Sequence, residues 1–183
     1  MVLAILLALA ATLPGDIPAQ PGLYYRAGSS IVRIEGRATS FARTGSRLVS
    51  AATAGIKSAK INAQILGNTS EHVVPPVITF YYRLASANEA AGGSAGDLVL
   101  VKMTVKGNRR QFEMGAAGMG RASAGISLRS QVDCYKKQLD QQLYEVTPVT
   151  LEPGEYAFYL FRGYDLPGFI YDFTVPKVRG KSE

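Results

Sequence analysis

The sequence predicts a mainly β fold: an antiparallel β-sandwich of the Ig-like or Greek-key type, with at most one short helix beyond an N-terminal signal helix. Three observations carry this. Leu151 to Val175 reads as two aromatic strands, L-E-P-G-E-Y-A-F-Y-L-F-R and F-I-Y-D-F-T-V, joined by a turn from Gly163 to Gly168. A second pair, D-L-V-L-V-K-M-T-V-K and R-R-Q-F-E-M, flanks Gly107-Asn108, a two-residue turn signal. The 183 residues include 19 Gly, 9 Pro, 10 Tyr and 7 Phe, a mixture that suits many short strands with frequent turns.

The register of the late hairpin follows from its pattern. With Tyr156, Phe158 and Leu160 on one face beside Phe169, Tyr171, Phe173 and Val175, that face is wholly apolar. A slip of one residue would bring Asp172 beside Phe158, a costly place for a carboxylate. Pro153-Gly154 ahead of Tyr156 matches the tyrosine corner of Greek-key sandwiches, in which the hydroxyl bonds back to upstream backbone. Pairing outward from Gly107-Asn108 sets Met103 against Phe112, Lys102 against Glu113 and Thr104 against Gln111, with Lys106, Arg109 and Arg110 at a basic tip.

From the start of the chain, Val2 to Leu13 is an unbroken apolar run closed by Pro14-Gly15. It is too short to span a bilayer and fits the apolar core of a secretory signal over residues 1–19, with a mature start at Gln20. Residues 20–183 then form one domain, with no transmembrane span expected in the mature chain, placed outside the cytoplasm as a secreted or periplasmic protein. P-G-L-Y-Y-R and S-S-I-V-R-I-E-G read as strands parted at Ala27-Gly28. Arg37 to Ser46 is polar and less regular, and Arg47 to Ala54 could pair with Ile56 to Leu66 across Gly55. Ile61, Ala63 and Ile65 alternate with Lys60, Asn62 and Gln64, the period of a half-buried strand. Val77 to Leu84 is a strand with Ile78, Phe80, Tyr82 and Leu84 on one face. Ala85 to Gly96 and Gly115 to Gly125 are small-residue loops. Ile126 to Leu143 is ambiguous: Val132, Tyr135, Leu139 and Leu143 have helical spacing, whereas Ile126 and Leu128 alternate as in a strand.

Chemistry-bearing residues are sparse. The chain has one Cys, Cys134, and one His, His72, so it holds no internal disulfide and offers no metal-ligand spacing. A lone Cys is usually a small buried hydrophobe. Asn68-Thr69-Ser70 matches a glycosylation sequon, a motif short enough to arise by chance. No phosphate-binding loop, dinucleotide fingerprint or G-x-S-x-G occurs, and no cofactor is expected. Glu145, Glu152, Glu155, Asp165 and Asp172 gather late in the sequence, with Glu155 and Asp172 on one face of the hairpin but not opposite each other. They supply the acids for an enzymatic reading.

Charge and aromatic area suggest two contact surfaces. The net charge is +6, and seven basic residues against Glu35 alone lie between Gly22 and Asn62. Arg33, Arg37, Arg43 and Arg47 could meet an anionic surface, or simply keep a solvated sheet face from pairing. Tyr159, Phe161 and Ile170, with Tyr164 in the adjoining turn, share the second face of the late hairpin. Such an aromatic area is either covered by the chain, for instance by a helix over Val132 to Leu143, or presented to a partner.

The motifs P-G-L-Y-Y, K-I-N-A-Q-I-L-G, K-G-N-R-R-Q-F-E, L-E-P-G-E-Y-A-F and Y-D-F-T-V together resemble a family of uncharacterised exported bacterial β-rich proteins. The resemblance implies an exported β domain and assigns no catalytic residues. Two functional expectations follow. One is an exported non-catalytic binding or interaction module for an unknown protein or cell-envelope polymer, with no nucleic acid expected. The other is a carbohydrate-active enzyme using the late carboxylates.

Overall fold

A computed structural model describes residues 16–44, 59–85, 98–118, 121–124, 126–160 and 169–177. These form a mainly antiparallel β protein of two sheets. The smaller has five strands in the order β11 (Cys134–Gln138), β12 (Leu143–Pro148), β6 (Phe80–Arg83), β1 (Gly22–Ala27) and β2 (Ser30–Ile34). The larger runs β3 (Arg37–Ala38), β14 (Phe169–Val175), β13 (Gly154–Leu160), β7 (Leu98–Val105), β8 (Arg109–Gly118), β5 (Ala59–Leu66) and β4 (Ser40–Thr44). Two short strands join it at the side: β9 (Arg121–Ala124) on β8, and β10 (Gln131–Val132) on β7. This larger sheet curls until it is nearly a barrel.

The late hairpin adopts the register that its pattern demands. Tyr156 lies opposite Phe173, Phe158 opposite Tyr171, and Ala157 opposite Asp172. Its apolar face meets the smaller sheet in one core: Phe80 of β6 packs edge-on against Phe158 at 5.0 Å and tilted against Phe173 at 4.9 Å. Leu23, Ile34, Tyr82 and Val146 close this core from one side, and Leu98, Leu100 and Val175 from the other. Burying one such side chain is worth about 1.5–3 kcal/mol.

The opposite face of the same strands lines a second core inside the curled sheet. Tyr159, Ala157, Ile170, Val101 and Met103 pack there with Phe112, Ala63 and Ile65. Tyr159 and Phe112 meet edge-to-face at 5.5 Å. A third, smaller cluster of Ile17, Tyr24, Tyr81 and Leu143 lies on the outer side of the five-stranded sheet. It brings the segment after Asp16 onto the domain.

Several expectations change. Residues 126–143 hold no helix: the chain forms β10, β11 and the start of β12, with a turn between the last two where the Asp140 carboxylate accepts the N–H groups of Gln142 and Leu143, both at 2.7 Å. Arg37 to Thr44 is not irregular but supplies β3 and β4, the latter paired with β5. Gly115 to Ala124 is not simply a loop, because Ala59 and Lys60 of β5 pair with Ala117 and Ala116, and β9 pairs on the other side. Backbone hydrogen bonding needs no large side chains, so a small-residue stretch extends a ladder once a neighbour offers its edge. The proposed turn at Gly55, the turn from Gly163 to Gly168, the loop from Ala85 to Gly96 beyond Ala85 itself, and the apolar run up to Leu13 lie outside the described residues.

Candidate functional site

The hairpin around Gly107 builds an open site. Gly107 takes φ 59°, a left-handed conformation open to glycine, and Lys106 N–H bonds the Arg109 carbonyl at 2.8 Å across the turn. Thr104 faces Gln111 as expected and Val105 faces Arg110, but the two strands then part. Segment 126–132 enters the gap: Ser127 N–H bonds the Glu113 carbonyl at 3.0 Å, and Lys102 N–H bonds the Ser130 carbonyl at 2.7 Å. β8 instead follows β5, with a register shift between Ile61 and Asn62 that leaves Met114 unpaired on that side.

The expected Lys102–Glu113 pair is therefore not formed. Lys102 binds Glu152 at 2.6 Å, and Glu113 binds Lys60 at 2.6 Å. Hydrogen bonding and charge hold the Lys102 ammonium above its ordinary pKa and the Glu152 carboxyl below its own. The splayed hairpin leaves a cavity of about 320 Å³ above the join. Its walls carry Lys60, Asn62, Thr104, Lys106, Gln111 and Glu113, with Ser130 from the inserted segment and Phe112 beneath. This is a lining of cations, amides and hydroxyls around one carboxylate. The sequence showed the hairpin but not the splay, since nothing local marks residues 126–132 as an insert.

A second polar cluster is closed to solvent. Arg110, expected at an exposed tip, is fully buried. Its Nη1 donates to Asp172 Oδ2 at 2.6 Å and Glu155 Oε2 at 3.2 Å, and its Nε to the Gly67 carbonyl at 3.1 Å. Its Nη2 is buried and finds no acceptor among the described residues. Thr174 Oγ1 donates to Glu155 at 2.9 Å, and Ser70 adds its N–H to Glu155 and its hydroxyl to the Asp172 carbonyl. At the rim Arg37 stands 3.8 Å from Asp172. Two guanidinium groups thus balance two carboxylates. The signal was present in the parity of the strands, because Arg110 points the way of Phe112, Glu155 the way of Tyr159, and Asp172 the way of Ile170.

Of the residues expected in the aromatic and basic contact surfaces, Tyr159, Ile170, Arg33 and Arg37 are described. Tyr159 and Ile170 are buried in the second core, covered by β5, β7 and β8 rather than by a helix, so they form no open aromatic face. Phe161 and Tyr164 lie outside the described residues. Arg33 binds Glu35 at 3.3 Å and the Pro21 carbonyl at 3.1 Å, and Arg37 turns to Asp172. The Arg43 side chain and Arg47 lie outside the described residues.

Of the other late acids, Glu152 is held by Lys102, Glu145 sits opposite Lys137, and Asp165 lies outside the described residues. Burial lifts the Cys134 thiol to a pKa of about 12, which keeps it protonated at neutral pH. His72 packs edge-on to Tyr25, with ring centroids 6.3 Å apart. Among the described residues no group of three His, Cys, Asp or Glu could hold a metal ion, and no helix is long and apolar enough to cross a membrane. Comparison with models of protein families, with curated proteins and with solved structures finds no match, so the resemblance in short strand-and-turn motifs has no matching family model beside it.

Proposed function

We propose that this chain is an exported, non-catalytic binding module, secreted or periplasmic, built as a β-sandwich of Greek-key type. Its ligand is a hydroxyl-rich polymer of the cell envelope, held in the cleft of the splayed hairpin. One observation carries the reading: the roughly 320 Å³ cleft, whose wall of Thr104, Gln111 and Ser130 offers donors and acceptors together. Sugar hydroxyls both donate and accept, so amide and hydroxyl side chains match them without a fixed charge. The cleft rests on paired strands rather than on a free loop, which favours preorganised recognition.

The carbohydrate-active alternative loses its best acids. A glycosidase needs two carboxyl groups flanking a space for the sugar. Here Arg110 Nη1 lies between Glu155 and Asp172, and both carboxylates are buried. Calorimetric titration with solubilised envelope polysaccharide tests the proposal. Gln111→Ala combined with Ser130→Ala should weaken binding by about tenfold, as two lost hydrogen bonds would, with the thermal midpoint nearly unchanged. Unchanged affinity would remove the cleft from the proposal. Release of new reducing ends by the wild-type protein would replace it with the enzymatic reading.

A further inference from the structure

The cleft has a charge pattern beyond what a neutral sugar requires. On β5 and β8 the side chains of one face alternate as Lys60, Asn62 and Gln64 against Arg109, Gln111 and Glu113. Lys106 joins them from the turn, and Arg109 donates to Gln64 at 3.3 Å. Lys60, Lys106 and Arg109 therefore share this face with a single carboxylate, and the cleft itself is lined by Lys60 and Lys106 against Glu113. Lys60 and Glu113 are joined at 2.6 Å, yet their side chains remain 56% and 26% exposed, so a ligand can reach both. An exposed pair of this kind is a weak stabiliser, and its ammonium exchanges partners at small cost.

We propose that the cleft takes an acidic glycan, whose carboxylate or phosphate groups bind Lys60 and Lys106 while its hydroxyls bind Thr104 and Gln111. This rests on the binding reading above and adds the charge class of the ligand. Glu113 then acts as an internal competitor: it holds Lys60 until a ligand anion takes its place. An ammonium favours a charged acceptor over a neutral hydroxyl, by about fivefold for each contact.

The competitor gives the test an unusual sign. Glu113→Gln removes a salt bridge, but it should tighten an acidic ligand by about two- to fivefold, the worth of one screened charge pair. Lys106→Gln should weaken the same ligand by a similar factor. Titrations would use a uronic-acid oligosaccharide, a phosphodiester-linked oligosaccharide, a neutral oligosaccharide of equal length and inorganic phosphate. The expected result is tight, salt-sensitive binding of one or both acidic oligosaccharides, which also identifies the anionic group, and weaker, salt-insensitive binding of the neutral one.

Equal binding of neutral and acidic oligosaccharides would overturn the charge assignment and leave the binding reading standing. Acidic binding that ignores both Glu113→Gln and Lys106→Gln would move the site elsewhere. Inorganic phosphate binding as well as the oligosaccharides would reduce the cleft to a site for an adventitious ion only. Failure of every oligosaccharide to bind a protein whose thermal transition is intact would overturn both readings.

Discussion

Arg110 is a fully buried cation shared by two buried carboxylates. A buried guanidinium is tolerated because Glu155 and Asp172 neutralise it at 3.2 and 2.6 Å and Gly67 fills a third direction. Arg110→Met should destabilise the protein by about 3–5 kcal/mol, because two buried carboxylates would be left with only the rim cation Arg37, 3.8 Å from Asp172, to balance them. The triple change Arg110→Met, Glu155→Gln and Asp172→Asn should recover much of that loss. Denaturant midpoints for the two variants check it: a single variant as stable as wild type would mean the cluster is solvated. Residue identity alone made Arg110 look like a tip cation. Its parity with Phe112 and Met114 was readable, but parity points inward only if the face it shares is buried, and that depends on how the sheet curls.

Among the elements, the two long hairpins were legible because turn chemistry and alternation agreed. Segment 126–143 was not. Its helical spacing arises where β10, β11, a turn and β12 follow one another: Val132 packs on the main core, Tyr135 is 72% exposed, and Leu139 and Leu143 sit on the outer cluster. The backbone N–H groups of Gln142 and Leu143, donating to the Asp140 carboxylate, hold it below its usual range, aided by Arg83. With its folded pKa depressed, Asp140 supports the turn at neutral pH and withdraws that support only as pH falls through that lowered value. The tyrosine corner expected at Tyr156 is present, its hydroxyl 2.8 Å from the Glu152 carbonyl. A second one, not anticipated, joins Tyr24 to the Gln20 carbonyl at 2.7 Å. Both follow P-G-x-Y, and the glycines share φ values of 153° and 156°, so each sheet has one. Tyr24→Phe and Tyr156→Phe should each cost about 1–3 kcal/mol in equilibrium unfolding by leaving a carbonyl unpaired. A cost confined to one of them would mean that the other carbonyl finds water.

For the whole molecule, the mainly β class was legible, but the second core was not, because a flat reading of each hairpin gives it one buried side. Nor could the sequence show that Ile17 is buried against Tyr24, Tyr81 and Leu143, or that Asp16 binds Arg26 at 3.1 Å. A protein beginning at Gln20 would lack these contacts. It should be about 1.5–3 kcal/mol less stable than one beginning at Asp16, the worth of one buried isoleucine. Thermal unfolding of the two purified forms decides this, and equal stability would make the segment dispensable. The sharing of β7 and β13 between two cores has a further effect. Leu98 and Leu100 face one core while Val101 and Met103 face the other, and β13 does the same with Phe158 and Tyr159. Along most of their length these strands have no solvent side on which sequence can drift. Ordinary sheets leave alternate positions free to vary, but here a change at almost any position alters the packing of one core or the other.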